Sequence, residues 1–88
     1  MSGNCPVDVI SLCSAEGKIQ PLRLRVHDEN HEMLRIDIAE VVSTKTISYV
    51  GVEAQIFLCR ANVWGREWLF ELKYLLRSHS WRIVRRLQ

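Results

Sequence analysis

The chain has 88 residues, of which 48% are hydrophobic and 25% are charged, and its net charge is +2. This length and composition indicate a single small domain over residues 1–88 and exclude an intrinsically disordered chain. Apolar runs are only a few residues long, whereas a helix needs ~20 to cross a bilayer, and residues 1–6 are predicted to be a flexible tail rather than a secretory signal. We therefore expect a cytoplasmic protein with no membrane segment.

The three cysteines also favour a reducing compartment. Small secreted proteins carry an even and denser set of cysteines, which they join in disulfides. Cys59 stands within an apolar run, so we expect a buried thiol there. Cys5 lies close to the N-terminus, where we expect an exposed and more readily oxidised thiol.

Apolar residues that alternate with polar ones predict β-strands along most of the chain. In residues 22–26, 34–38 and 68–74 every second side chain is apolar, which places one face of each strand against a core. Arginines and carboxylates occupy most of the intervening positions. The six predicted strands cover residues 7–13, 19–27, 33–42, 54–63, 67–74 and 81–87.

Polar segments that contain glycine or turn-forming residues separate these strands. Residues 28–31 are predicted to be a hairpin turn, residues 43–52 a loop, and residues 64–66 a tight turn. In the third strand the alternation changes phase after Ile38, which predicts a β-bulge or a sharp bend. We therefore expect an all-β fold, an antiparallel meander of five to six strands that is bent or closed into an SH3-like barrel.

Residues 67–77 also fit a helical pattern, because their leucines recur at the spacing of one helix face. A strand is preferred, since no Ser, Thr, Asp or Asn caps a helix just before Glu67. A strand also places Trp68, Phe70 and Tyr74 on the same face. An α+β fold with a helix at about residues 67–77 stays open as the alternative.

Several short motifs follow one another in a recognisable order: Gly17, Pro21-Leu22-Arg23-Leu24-Arg25, Val41, Phe57-Leu58-Cys59, Gly65-Arg66-Glu67, Phe70-Glu71-Leu72-Lys73-Tyr74 and Trp81. This order resembles small uncharacterised bacterial all-β proteins over about residues 17–84. The resemblance implies an SH3-like barrel and a strand at residues 67–74. It implies no activity.

The sequence indicates no catalytic residues, metal ligands or cofactor. His27 and His31 stand four residues apart, and Cys13 and Cys59 are further candidate ligands, but the closely spaced ligand pairs of structural zinc sites are missing. Neither a nucleophile elbow nor a phosphate-binding loop is present. A small filled barrel also leaves little room for a substrate cleft, so we do not expect an enzyme.

Basic residues are concentrated in the C-terminal third of the chain. Residues 60–88 contain seven Lys/Arg and two Asp/Glu, whereas residues 1–59 contain five and eight. The preferred interpretation is that the basic C-terminal strand pairs with acidic neighbours in the same fold, such as Asp28, Glu29 and Asp37. The alternative is a surface that binds anionic partners.

These observations favour a non-catalytic binding module that makes protein–protein contacts. Its contact would be an exposed Trp and Arg, or an edge strand at residues 7–13 that pairs with a second copy unless it closes its own barrel. The alternative is single-stranded nucleic-acid binding through an arginine-rich face, with Trp64 exposed for base stacking and Trp68 and Trp81 in the core. The candidate binding residues are Arg23, Arg25, Arg60, Trp64, Arg66, Arg82 and Arg85.

Overall fold

The computed structural model describes residues 5–27 and 30–88. Six antiparallel strands follow one another in chain order and close into a barrel, in which the last strand returns to pair with the first. The strands are β1 (Cys5–Cys13), β2 (Ile19–His27), β3 (Met33–Tyr49), β4 (Val52–Val63), β5 (Arg66–Leu75) and β6 (Ser80–Arg86). The predicted small all-β barrel is therefore confirmed.

The helical alternative for residues 67–77 is wrong, since this segment is β5 and the turn that follows it. β5 pairs with β4 through ten residue pairs and buries Phe70, Leu72 and Tyr74 on one face. Leu76 lies just beyond the strand and packs against the core, and its backbone N–H donates to the Glu53 carbonyl at 3.2 Å. The segment therefore forms the strand that buries its aromatic residues on one face, rather than the helix that the spacing of its leucines also allowed.

Two predicted segment boundaries are wrong. The predicted loop at residues 43–52 is mostly strand, because β3 continues to Tyr49 and a two-residue turn leads into Val52. The alternating Ser and Thr residues of this segment suit a strand whose two faces are exposed.

The predicted tail is also too long, since Cys5 and Pro6 pair with β6; residues 1–4 lie outside the described residues. In the predicted turn at 28–31, residues 28 and 29 also lie outside them.

β-bulges divide the strands into segments with different partners. The predicted phase change in β3 is confirmed, because Ala39 and Val42 are extra residues in its pairing with β4. Residues 33–37 of β3 pair with β2, and residues 38–49 pair with β4. A bulged strand bends, and this bend lets one long strand serve both walls of the barrel.

Leu22 does not share the buried face of Leu24 and Val26, contrary to the alternation in the sequence. Ile10 pairs with Arg23 and Ser11 pairs with Pro21, so Leu22 is an extra residue between them. The bulge turns its side chain outward, where it is 42% exposed, and Pro21 takes the buried position.

One hydrophobic core fills the barrel and consists of Leu24, Val26, Ile36, Phe57, Cys59, Ala61, Val63, Phe70, Leu72, Tyr74, Trp81 and Ile83. Trp81 lies at the centre of its aromatic part, with its ring centroid 5.5 Å from that of Phe57 and 4.8 Å from that of Tyr74. Trp81 is buried, as expected, whereas Trp68 is only partly buried and packs against the core.

Candidate binding site

Trp64 lies at the tip of the hairpin that joins β4 to β5. Val63 pairs with Arg66, so Trp64 and Gly65 alone make the connection. Their φ values of 52° and 76° are both left-handed, as a type I′ turn requires. Asn62 Oδ1 accepts a hydrogen bond of 3.0 Å from the Gly65 N–H. This turn holds the backbone of Trp64 in place while its side chain is 80% exposed, as the sequence predicted.

Trp is an unusual residue for that position. Type I′ turns prefer Asn, Asp or Gly there, and a larger residue held in the left-handed region costs about 1–3 kcal/mol. In the described part of the chain, the indole of Trp64 makes no hydrogen bond or ring contact that would offset this cost. The side chain therefore has no role in folding that the described contacts reveal.

Three further residues extend this surface along the same end of the barrel. Arg66 follows the turn, is exposed, and forms no ion pair with any residue in 5–27 or 30–88. The guanidinium of Arg86 lies 4.0 Å above the centroid of the Trp68 ring, and its Nε donates to the Gln88 carbonyl at 2.9 Å. We call Trp64, Arg66, Trp68 and Arg86 the tryptophan end of the barrel.

Arg60 lies on β4, close to this end, but its charge is neutralised. It bonds to Glu40 across the β3–β4 pair, and its Nε lies 3.3 Å from Glu67 on β5. Two carboxylates thus share one guanidinium that is only partly exposed. A partner that binds Arg60 has to displace one of these two carboxylates.

Arg23 and Arg25 lie side by side on the outer face of β2, and both are ion-paired. Arg23 bonds to Asp37 on β3, and Arg25 Nη2 lies 2.9 Å from Asp8 on β1. Arg35 is directly opposite Arg25, is exposed, and forms no ion pair within the described residues. A shallow groove of about 410 Å³ runs among these three arginines. Two of these three arginines, Arg23 and Arg25, are therefore ion-paired with carboxylates on neighbouring strands.

Arg82 and Arg85 lie on β6, on a different wall of the barrel. Arg85 Nε donates to Glu71 on β5 at 2.7 Å, so one arginine of the basic C-terminal strand pairs with an acid of the same fold. The expected partners are different, however: Asp37 bonds to Arg23, while Asp28 and Glu29 lie outside the described residues.

The predicted binding residues therefore do not share one face. The arginines of β2 and β6 are separated by β1, and Arg60 on β4 is separated from them by β3 and β5. Only Trp64 and Arg66 stand together, with Arg60 behind them on the same hairpin. Arg86 was not among the predicted binding residues. The sequence gives little indication of its role, because its contact with Trp68 depends on the pairing of β5 with β6.

Two features of the described residues concern metal binding and thiol chemistry. No three His, Cys, Asp or Glu side chains among them come together as a metal site would require. Burial raises the pKa of the Cys59 thiol from its ordinary value of 9.0 to about 12, which suppresses the nucleophilic thiolate. Tyr74 Oη lies 2.9 Å from His79 Nδ1 at the rim of the barrel, where the bond ties the β5–β6 turn to the core.

Comparison with protein-family models, with curated proteins and with solved structures found no match. The resemblance to bacterial SH3-like barrels consequently stays a prediction. Within residues 5–27 and 30–88 there is no helix of the length and apolarity that a membrane crossing requires.

Proposed function

We propose that the domain is a non-catalytic binding module that uses Trp64 to anchor a protein partner. The observation that carries this proposal is an indole that is 80% exposed on a two-residue turn, at a position where Trp is costly. Trp and Arg are the residues most enriched among those that dominate protein–protein binding energies. Trp64 and Arg66 stand two residues apart at the same tip.

The turn also favours tight binding, because its backbone is already ordered. The backbone is held by two left-handed residues and by the hydrogen bond from the Gly65 N–H to Asn62. Binding therefore restricts only the side-chain rotamers of Trp64. A preorganised anchor loses less conformational entropy when it binds than a flexible loop does. The complementary partner has an apolar pocket for the indole and a carboxylate at its rim for Arg66.

Binding of single-stranded nucleic acid is the weaker alternative. Four of the six candidate arginines, Arg23, Arg25, Arg60 and Arg85, already bind carboxylates of this chain. They lie on three strands that are not neighbours in the barrel. A phosphate backbone would have to break these ion pairs, and to contact all four arginines it would have to cross strands that are not neighbours.

The domain is further proposed to act in the cytoplasm. Within the described residues, Cys13 and Cys59 are free thiols, and Cys13 is exposed. Exposed thiols persist where glutathione and thioredoxin keep them reduced.

The test begins with a random peptide library displayed on phage and selected on the wild-type domain. Enriched peptides are then titrated by fluorescence anisotropy against the wild type and against Trp64→Asn. We expect apolar and acidic peptides whose affinity falls at least ~30-fold in Trp64→Asn, as the loss of an anchor of ~2 kcal/mol implies.

The matched control is Val50→Asn, which changes an equally exposed residue at the other two-residue turn and should leave the affinity unchanged. Equal affinity of Trp64→Asn and the wild type would disprove the anchor. Labelled single-stranded DNA and RNA, titrated at about 50 mM and about 200 mM salt, form the second arm. Tight binding there that weakens steeply with salt would replace the protein-binding proposal.

A further inference from the structure

β1 closes the barrel with only part of its length. Cys5, Pro6 and Val7 pair with β6, whereas Asp8–Cys13 pair with β2 alone. Along the opposite edge of residues 8–13, no backbone group of residues 5–27 or 30–88 forms a hydrogen bond. Every second residue of this stretch therefore directs its N–H and C=O groups away from the barrel.

Among the other segments with an unpaired edge, residues 19–22 of β2 and 43–49 of β3 are protected. Residues 19–22 of β2 contain Pro21 and the bulged Leu22. Residues 43–49 of β3 contain Lys45 and follow two bulges. Proline, lysine and bulges are the features with which natural sheets prevent further strands from adding to an edge.

Residues 9–13 of β1, Val-Ile-Ser-Leu-Cys, contain none of these protective features. The segment is uncharged and is rich in residues that favour strands. Its outward side chains are apolar, since Ile10 is 59% exposed and Leu12 is 55% exposed. Leu22, turned outward by its bulge, lies next to them on β2. An extended and apolar edge of this kind is expected to acquire a partner strand.

We propose that residues 9–13 of β1 pair antiparallel with the same residues of a second copy of this chain. The two β1–β2 hairpins then form one continuous four-stranded sheet. Pairing about a two-fold axis at Ser11 places Ile10 opposite Leu12 of the second copy, and Val9 opposite its Cys13. Both outward positions thus form apolar cross-strand pairs.

This self-complementarity identifies a second copy, rather than an unrelated peptide, as the occupant. With the axis at Ser11, Asp8 lies opposite Ser14 of the second copy, and no like charges oppose each other. With the axis at Ile10 instead, Leu12 would face the carboxylate of Asp8. One segment therefore supplies both sides of the contact, and of these two registers the one centred on Ser11 is favoured.

The dimer is expected to be weak and to be independent of Trp64. A five-residue strand pair with three aliphatic side chains per copy lies at the small end of specific interfaces, so dissociation in the micromolar range is expected. The β1–β2 turn and the Trp64 turn lie at opposite ends of the antiparallel barrel. Failure of either proposal therefore leaves the other unaffected.

Sedimentation velocity across a range of protein concentrations tests the association. The wild type should pass from monomer to dimer, and Leu12→Lys should shift the dissociation constant upward at least ~10-fold, since lysine on an edge blocks pairing. Val52→Lys is the matched control, because Val52 is 47% exposed and lies on another hairpin. A wild type that stays monomeric at every concentration, or a Leu12→Lys variant that dimerises equally well, would overturn the proposal.

Disulfide cross-linking tests the register. In a chain with Cys5→Ser and Cys13→Ser, Ser11→Cys should form a covalent dimer under mild oxidation, because directly opposed strand residues have Cα atoms ~4.5–5.5 Å apart, within the range of a disulfide. The control is Thr46→Cys, an exposed residue on the unpaired edge of β3. Cross-linking of Ser11→Cys that is no faster than that of Thr46→Cys would rule out this register.

Discussion

At the scale of single residues, the two-residue turns place an exposed apolar side chain at a strained backbone position. Trp64 and Val50 both adopt φ near +50° and are both followed by a glycine, yet neither is a residue that type I′ turns favour. A β-branched residue such as Val50 is especially unfavourable in the left-handed region. Both side chains are also almost fully solvated.

We expect Trp64→Asn and Val50→Asn each to raise the free energy of unfolding by ~1 kcal/mol, because Asn tolerates the left-handed region. Urea denaturation monitored by circular dichroism measures the change. Trp64→Ala and Val50→Ala are the controls, and they should give no comparable gain because Ala retains the backbone strain. Asn variants no more stable than the Ala variants would contradict the assignment of strain to these positions.

At the scale of elements, the pairing is uneven around the barrel. β4 forms ten residue pairs with β3 and ten with β5, whereas β1 meets β6 through three. β4 is also buried along much of both faces. The β1–β6 seam is therefore the point where the closed barrel is expected to open first.

Native-state hydrogen exchange should show this difference. Amides of β4 are expected to exchange slowest, near the rate of global unfolding, and those paired across the β1–β6 seam much faster. The measurement is made on Leu12→Lys, so that dimer formation does not protect β1. Protection of Cys5 and Val7 equal to that of Cys59 would show that the seam and the centre of the barrel open together.

At the scale of the whole molecule, a single hydrophobic core stabilises the barrel. The free energy of unfolding therefore depends on the residues at the centre of this core. Cys59 is completely buried, and burial raises the pKa of its thiol from 9.0 to about 12. The folded state therefore retains the thiol proton at a pH where the unfolded state loses it. Stability from this source is complete below pH ~9 and decreases as the pH rises toward 12.

We therefore expect the free energy of unfolding to decrease between pH 9 and 12 more steeply in the wild type than in Cys59→Ala. The difference in slope should approach ~1.4 kcal/mol per pH unit, the value for one proton. Urea denaturation at several pH values in this range measures both slopes. The comparison with Cys59→Ala removes the contributions of Lys and Tyr, and parallel profiles for the two proteins would contradict the account.

Local sequence patterns were sufficient to predict the strands of this protein and the environment of several residues. Alternation of apolar and polar side chains predicted six strands, with β2 at the observed bounds, and its phase change predicted the bulges of β3. Local rules also placed Cys59 in the core and Trp64 in solvent. These features depend on side-chain period and turn chemistry, which neighbouring residues specify.

The contacts between residues of different strands, in contrast, depend on the tertiary structure. The bulge that turns Leu22 outward, the carboxylates that neutralise Arg25 and Arg85, and the stacking of Arg86 on Trp68 all depend on the register between strands far apart in the chain. The same holds for β1, whose first three residues close the barrel while the rest of its edge stays unpaired. A shift of one residue in register reverses the face of every side chain, so these contacts could not be deduced from local patterns.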